Sequence, residues 1–269
     1  MYSEGSREAG IVKFCALASG SSGNAALLAT ENTRILLDAG LSMRELRKRL
    51  AAIGEDLKNV DAILITHEHS DHVSGLPVLA RNDDVHATIH LTWLTAPAID
   101  WGERQPEGLR TFQSGASFRI GDIDVQSFGV PHDARDPVGF RFEAQGVRIG
   151  VVTDLGYIPE SVKFHLRQTD LLLLEANHDL EMLKIGPYPW SVKQRVGSRV
   201  GHLSNQVMSD YLLSDLDSCT AHLVLGHISE QNNHPAIVHL MATQALERRG
   251  LETRLSLATQ RAPTEVFQF

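Results

Sequence analysis

Seven consecutive residues, Thr66-His67-Glu68-His69-Ser70-Asp71-His72, follow the apolar run Ala62-Ile63-Leu64-Ile65 and constrain this chain more than any other stretch. Four side chains able to ligate a metal lie within six residues. They come directly after a segment that reads as a short buried strand, a rigid support for a ligand loop. Neutral imidazoles suit zinc and its first-row neighbours, and a carboxylate adds the oxygen donor that hydrolytic sites use. Three close histidines could arise by chance among 13, but Asp71 and the preceding strand favour a metal loop over a solvated one. Glu68, alternating to the other side, is expected to be solvated or salt-bridged.

The rest of the chain reads as layered α/β. Strand-like segments lie at about 11–17, 24–29, 33–38, 61–65, 85–90, 122–127, 138–143, 147–152, 170–175, 221–225 and 254–258, and helical patterns alternate with the later ones. A helix over 43–52 has a capping box, Ser42 with Glu45, and Gly54 to end it. A last long helix starts at Pro235 and stops at Gly250. This order predicts two sheets covered by outer helices. No repeat or linker divides 11–269, while the polar stretch 1–10 reads as a flexible tail without the apolar core of a secretory signal.

No apolar run reaches membrane-span length. Cys15 and Cys219 are expected to be buried free thiols, which fits a reducing cytoplasm. The net charge of −8 argues against a surface wrapped in basic residues. It leaves a nuclease open, because two bound divalent cations reverse the local sign.

A metal site on the first motif needs ligands from other strand ends, and three positions share its grammar of apolar strand, ligand and polar turn. His132 follows Phe128-Gly129-Val130-Pro131, Asp154 follows Ile149-Gly150-Val151-Val152-Thr153, and His227 follows His222-Leu223-Val224-Leu225-Gly226. His86, His90, His165, His222 and His239 lack this placement and read as structural or exposed.

The set His-x-His-x-Asp-His, then a distant His, Asp and His, resembles the metallo-β-lactamase superfamily over nearly the whole chain. The resemblance implies an αββα four-layer sandwich with the site on one edge of its sheets. It also implies two divalent metal ions, zinc or manganese. His67, His69 and His132 would hold one, Asp71, His72 and His227 the other, with Asp154 bridging. The combination of Phe14 to Asn24, Glu175-Ala176-Asn177-His178-Asp179, Gly201-His202-Leu203-Ser204-Asn205 and Gly226 to Asn233 is narrower, and looks like the bacterial YycJ/WalJ type. That type implies a DNA exonuclease, 5′-to-3′ at the level of the family.

Two cations about 3.5–4 Å apart can share a hydroxide as nucleophile and clamp an in-line displacement. Asp71 could accept the proton from its parent water. His202, before a helical pattern at 206–213, looks like the histidine that nucleolytic members use to protonate or stabilise the leaving oxygen. Val151 and Val152 stand before Asp154, so no acidic partner for His202 is visible there. Glu175 resembles a supporting glutamate of the family.

Several residues are candidates for substrate contact. Ser19, Ser21, Ser22 and Asn24 lie in a Ser/Gly loop that is either a nest of anion donors or a plain hairpin loop. His178 either touches substrate or braces the site. The stretch 184–199, with Lys193, Arg195, Tyr188 and Trp190 and no acidic residue, is either a phosphate- and base-holding lip or a solvated helix with a buried aromatic anchor. The interval between Asp154 and His202 is too short for the cap domain of RNA-processing relatives, so DNA is expected over RNA. The rival activity on the same fold is hydrolysis of a small ester, thioester or lactone. Oligomeric state stays open.

Overall fold

Alternation along the strands builds the layers. In β1 (Lys13–Ala18), Phe14 and Ala16 face one apolar cluster while Cys15 and Leu17 face another. The next strands are β2 (Ala25–Ala29), β3 (Arg34–Leu37), β4 (Ala62–Leu64), β5 (Thr88–Thr92), β6 (Leu109–Phe112), β7 (Ser117–Ile120) and β8 (Ile123–Gly129). They continue with β9 (Val138–Ala144), β10 (Val147–Val152), β11 (Leu171–Glu175), β12 (His222–Gly226), β13 (Arg254–Leu257) and β14 (Phe267–Gln268). The computed structural model describes residues 11–102 and 105–269, so the expected tail at 1–10 lies outside the described residues.

The two sheets repeat one plan. The first has the order β14-β1-β2-β3-β4-β5-β6 and the second β13-β12-β11-β10-β9-β8-β7. In each, neighbours pair antiparallel through a meander and then in parallel, from β3 through β6 and from β10 through β13. Phe14, Leu28, Ile35 and Leu64 of one sheet pack on Phe140, Phe142, Val151 and Leu173 of the other.

Helices cover both outer faces. They are α1 (Met43–Ala52), α2 (Ser70–Val73), α3 (Leu76–Leu79), α4 (Glu160–Leu166), α5 (Leu180–Ile185), α6 (Trp190–Val196), α7 (Asn205–Ser214) and α8 (Pro235–Arg249). Leu46, Leu50, Leu76 and Leu79 seal the first sheet; Val162, Leu166, Met208, Leu212, Val238 and Ala242 seal the second. The result is the expected four-layer αββα sandwich.

The helix ends form as read. Ser42 accepts a hydrogen bond from the Glu45 amide at 3.3 Å, and Gly250 ends α8 in the left-handed region. Half of the capping box is made, because the Glu45 carboxylate turns to Lys48 and Arg49. Cys15 is buried as expected, but Cys219 is exposed in the turn before β12. No helix among the described residues is long and apolar enough to cross a membrane.

Candidate metal centre

The parallel halves place the chemistry. β4, β10, β11 and β12 all run to the same edge, and the polar turn after each carries a residue of the site. The turn after β3 adds Asp38, and Asp38, Asp154 after β10 and His227 after β12 have φ of 57°, 60° and 53°. That left-handed region is costly for side chains with a Cβ, and it turns each one sharply off its strand.

His67, His69 and His132 form the first cluster. His69 Nδ1 lies 3.1 Å from His67 Nε2 and 3.1 Å from His132 Nε2. Donors about 2.0–2.1 Å from a tetrahedral ion stand roughly 3.3–3.4 Å apart, so this spacing fits one cation. Each supporting contact leaves the converging nitrogen free. His132 donates from Nδ1 to the Gly201 carbonyl at 3.0 Å, and His67 Nδ1 meets Thr66 Oγ1 at 3.0 Å. Burial, then the neighbouring His72, holds His67 well below the usual imidazole range, and burial also lowers His132. Both are therefore neutral at neutral pH, the form in which an imidazole can ligate a metal.

Asp71, His72, Asp154 and His227 form the second cluster. His72 Nε2 is 3.3 Å from Asp154 Oδ2, and His227 Nε2 is 3.4 Å from Asp71 Oδ2. Burial opposes charge here too, but Asp154 and then Asp38 outweigh it and hold His72 well above its usual range. Asp154, with Asp71 and Glu175, does the same for His227. The local field favours positive charge at this position, as a cation site requires.

Asp154 stands between the clusters. Its Oδ2 faces His72, and its Oδ1 is 4.0 Å from His132 Nε2. Neither oxygen receives a hydrogen bond, although both are buried. An orphaned buried carboxylate is costly. Its place between two ligand sets fits a carboxylate that spans two cations.

In a third grouping, Asp154, Glu175, His202 and His227, the hydrogen bonds converge on Glu175. Glu175 Oε1 accepts from His202 Nδ1 at 2.8 Å and from His227 Nδ1 at 2.9 Å. Oε2 accepts from the amides of Leu155 at 2.9 Å and Leu203 at 3.2 Å. Four donors saturate this carboxylate, leaving it little capacity for a metal. Burial alone would raise Glu175, but His202 and His227 bring it down to about 2.

A beta-lactamase superfamily domain model covers residues 33–228. The exodeoxyribonuclease WalJ of Streptococcus pneumoniae is 39% identical over 242 residues, 89% of this chain and 90% of that protein. The exodeoxyribonuclease YycJ of Bacillus anthracis is 35% identical over 237 residues, 88% and 90% of the two chains. The metallo-β-lactamase fold protein YhfI of Bacillus subtilis superposes with a TM-score of 0.73 at 14% identity, covering 96% of this chain and all of that one.

The chain belongs to the metallo-β-lactamase superfamily, in its WalJ/YycJ group.

Several residues of this metallo-β-lactamase chain support the centre without having been singled out in its sequence. Asp38 Oδ2 is 2.8 Å from His72 Nδ1, and Asp38 Oδ1 accepts from the Thr66 amide at 2.9 Å. Its sequence signal was available, since it ends the strand-like segment 33–38 with the same strand-then-ligand grammar. Gly40 follows, and a Cβ there would lie 1.7 Å from the Asp71 carbonyl, so only glycine lets the ligand loop pack this closely. Asn177 holds the His227 carbonyl at 2.8 Å.

The expected substrate residues divide. Ser19 and Asn24 are buried in the scaffold: Ser19 Oγ accepts from the His227 amide at 2.7 Å, and the Asn24 amide reaches His72 Nε2 at 3.0 Å and Asp71 Oδ2 at 3.2 Å. Ser21 and Ser22 are exposed on the same loop. His178 is buried beside Glu175 and His202, its Nδ1 has no hydrogen-bond partner, and burial lowers it to about 4. Arg195 reaches the edge of the centre and pairs with Asp133, whose other oxygen is 3.5 Å from His132 Nε2. Lys193 points elsewhere and donates to the Lys184 carbonyl. Trp190 is 70% exposed, so the stretch 184–199 has no buried aromatic anchor at that position.

Proposed function

We propose that this protein is a metal-dependent nuclease that hydrolyses phosphodiester bonds of DNA from an end, 5′-to-3′. The observation that carries the chemistry is the shared Glu175 carboxylate, which holds His202 beside the candidate ligand His227. It is the acidic partner for His202 that was not visible beside Asp154. The names of the 35–39% identical relatives, both exodeoxyribonucleases, support DNA as the substrate and an end as the starting point.

When bound, two divalent cations of the zinc or manganese type would supply Lewis acidity, drawing charge from a phosphodiester oxygen and lowering the pKa of an attacking water. His67, His69 and His132 would hold one; Asp71, His72 and His227 the other; Asp154 would reach both. Burial would raise Asp71, but His227 outweighs it and keeps the carboxylate ionised, able to take the proton of the attacking water. As the water oxygen bonds to phosphorus, the phosphorus bond to the leaving oxygen breaks. His202, anchored through Nδ1–H to Glu175, is placed to give a proton from Nε2 to that oxygen. Arg195, at the edge of the centre, is placed to pair with a phosphate in exchange for Asp133.

The test is degradation of 5′-labelled and 3′-labelled DNA, with matched RNA, by manganese-loaded protein, using His67→Ala as control. Cleavage that needs metal, is lost in the variant and weakens steeply with salt supports the reading. Intact DNA and RNA together with turnover of small esters or lactones would favour the rival hydrolase.

A further inference from the structure

One cavity on the active edge plays no part in holding the cations. It has a volume of about 560 Å³ and lies between the turns that follow β1, β12 and β13. Ser19, Ser229, Gln231, Thr259, Gln260 and Arg261 are among its lining residues. The size falls within the roughly 300–1,000 Å³ typical of small-molecule sites. A single hydrogen bond links it to the centre, because Ser19 lines the cavity and also accepts from the His227 amide at 2.7 Å.

We infer that this cavity receives the terminal nucleotide of the DNA strand, so that the enzyme works from an end; the inference rests on the nuclease reading. The walls are fixed. The Gln260 amide donates to the Gly23 carbonyl at 2.8 Å and accepts from the Ser22 amide at 2.9 Å, pinning the 19–24 loop against the turn after β13. Asn24 closes that loop from inside, accepting from the Gly20 amide at 2.8 Å. Ser229 and Ala258 are buried at the inner end. The turns after β1, β12 and β13 wall the cavity, which leaves room for one nucleotide beside the candidate centre.

The lining suits a nucleotide. Ser19 accepts through Oγ from His227, which leaves its O–H free to donate. The Gln231 side chain, exposed at the rim, offers both a donor and an acceptor to the edge of a base. Arg261 stands at the mouth, its only ion pair among the described residues a long 3.7 Å contact to exposed Glu230. It can take a phosphate there. On the opposite flank, Arg195 beside His132 is placed to hold the continuing strand. The scissile bond would then lie between this walled cavity and the edge that carries Arg195.

The experiment compares linear and circular single-stranded DNA of one sequence, with manganese-loaded protein, followed by the variants Gln231→Trp and Arg261→Glu on the linear form. The expected result is rapid loss of the linear form with the circle intact. The variants are expected to raise KM for linear DNA about tenfold each with little change in kcat, the loss of one or two binding contacts. Thermal melting of both variants at the wild-type temperature confirms that they fold. An unchanged KM in both folded variants would overturn the pocket assignment alone, and cleavage of the circle at the linear rate would overturn it together with the end-directed reading. Failure of the wild type on every DNA, while it hydrolyses bis(p-nitrophenyl) phosphate, would overturn the nuclease reading instead.

Discussion

The two candidate cation positions lie side by side yet are built differently. The first is three imidazoles on β4 and β8 turns, with His69 half-exposed and no carboxylate among its candidate ligands. The second has two carboxylates among its four candidate ligands, with Asp38 and Glu175 hydrogen-bonded behind its histidines. Burial pushes His67 and His132 toward neutrality, whereas the carboxylates pull His72 and His227 the other way. One position offers lone pairs; the other offers a negative field. The lesson is that ligand count alone does not describe a dinuclear centre, since the residues behind the ligands set how each position attracts charge.

Removing the residue that both positions share should have the largest effect. Asp154→Ala is expected to lose both cations and to bring DNA cleavage to background. That is several kcal/mol of transition-state stabilisation, on the order of 10⁴-fold in rate. Metal analysis of the dialysed variant checks it, and full occupancy of either position would show that Asp154 serves only one.

His202→Ala separates catalysis from metal binding. Turnover should fall on the order of 10³-fold while both cations stay bound. Metal loss in this variant would make His202 part of the metal scaffold and remove its role as acid.

Asp38→Asn tests the asymmetry directly. It should weaken the second cation roughly 10–100-fold and leave the first nearly unchanged, read by stepwise chelator titration. Equal weakening at both positions would erase the contrast.

The smallest effect concerns His90 on β5. Burial, with Arg110 nearby, lowers His90 to about 4 in the folded chain, where it meets Thr88 Oγ1 at 2.9 Å and stacks on Phe118. The neutral form is favoured by folding, so its contribution is complete above the unfolded value of about 6.5 and declines as pH falls toward 4. His90→Gln should flatten the fall in urea midpoint across that window, whereas an unchanged slope would assign the acid sensitivity elsewhere.

The first motif, His132, Asp154 and His227 could be read directly because each follows an apolar strand with a ligand and a polar turn, a pattern local in the chain. The central strands were legible for the same reason. Strands β6, β7 and β14 were not, being short and either half-exposed or only two residues long, with little alternation to mark them. The segment read at 85–90 is displaced to β5, Thr88–Thr92, because pairing with β4 sets its register.

The sequence by itself determined the donor types and the strand ends that carry them, since short-range alternation decides which residues leave a strand and where. Only the tertiary structure decided that Glu175 joins His202 to His227, residues 27 and 52 positions away in the chain. The same holds for Asp38 behind His72, and for Ser19 as the link between His227 and the neighbouring cavity. These contacts depend on the parallel register of separate strands and on burial that confines polar atoms to partners within the protein. Neither property is written in any local stretch of residues.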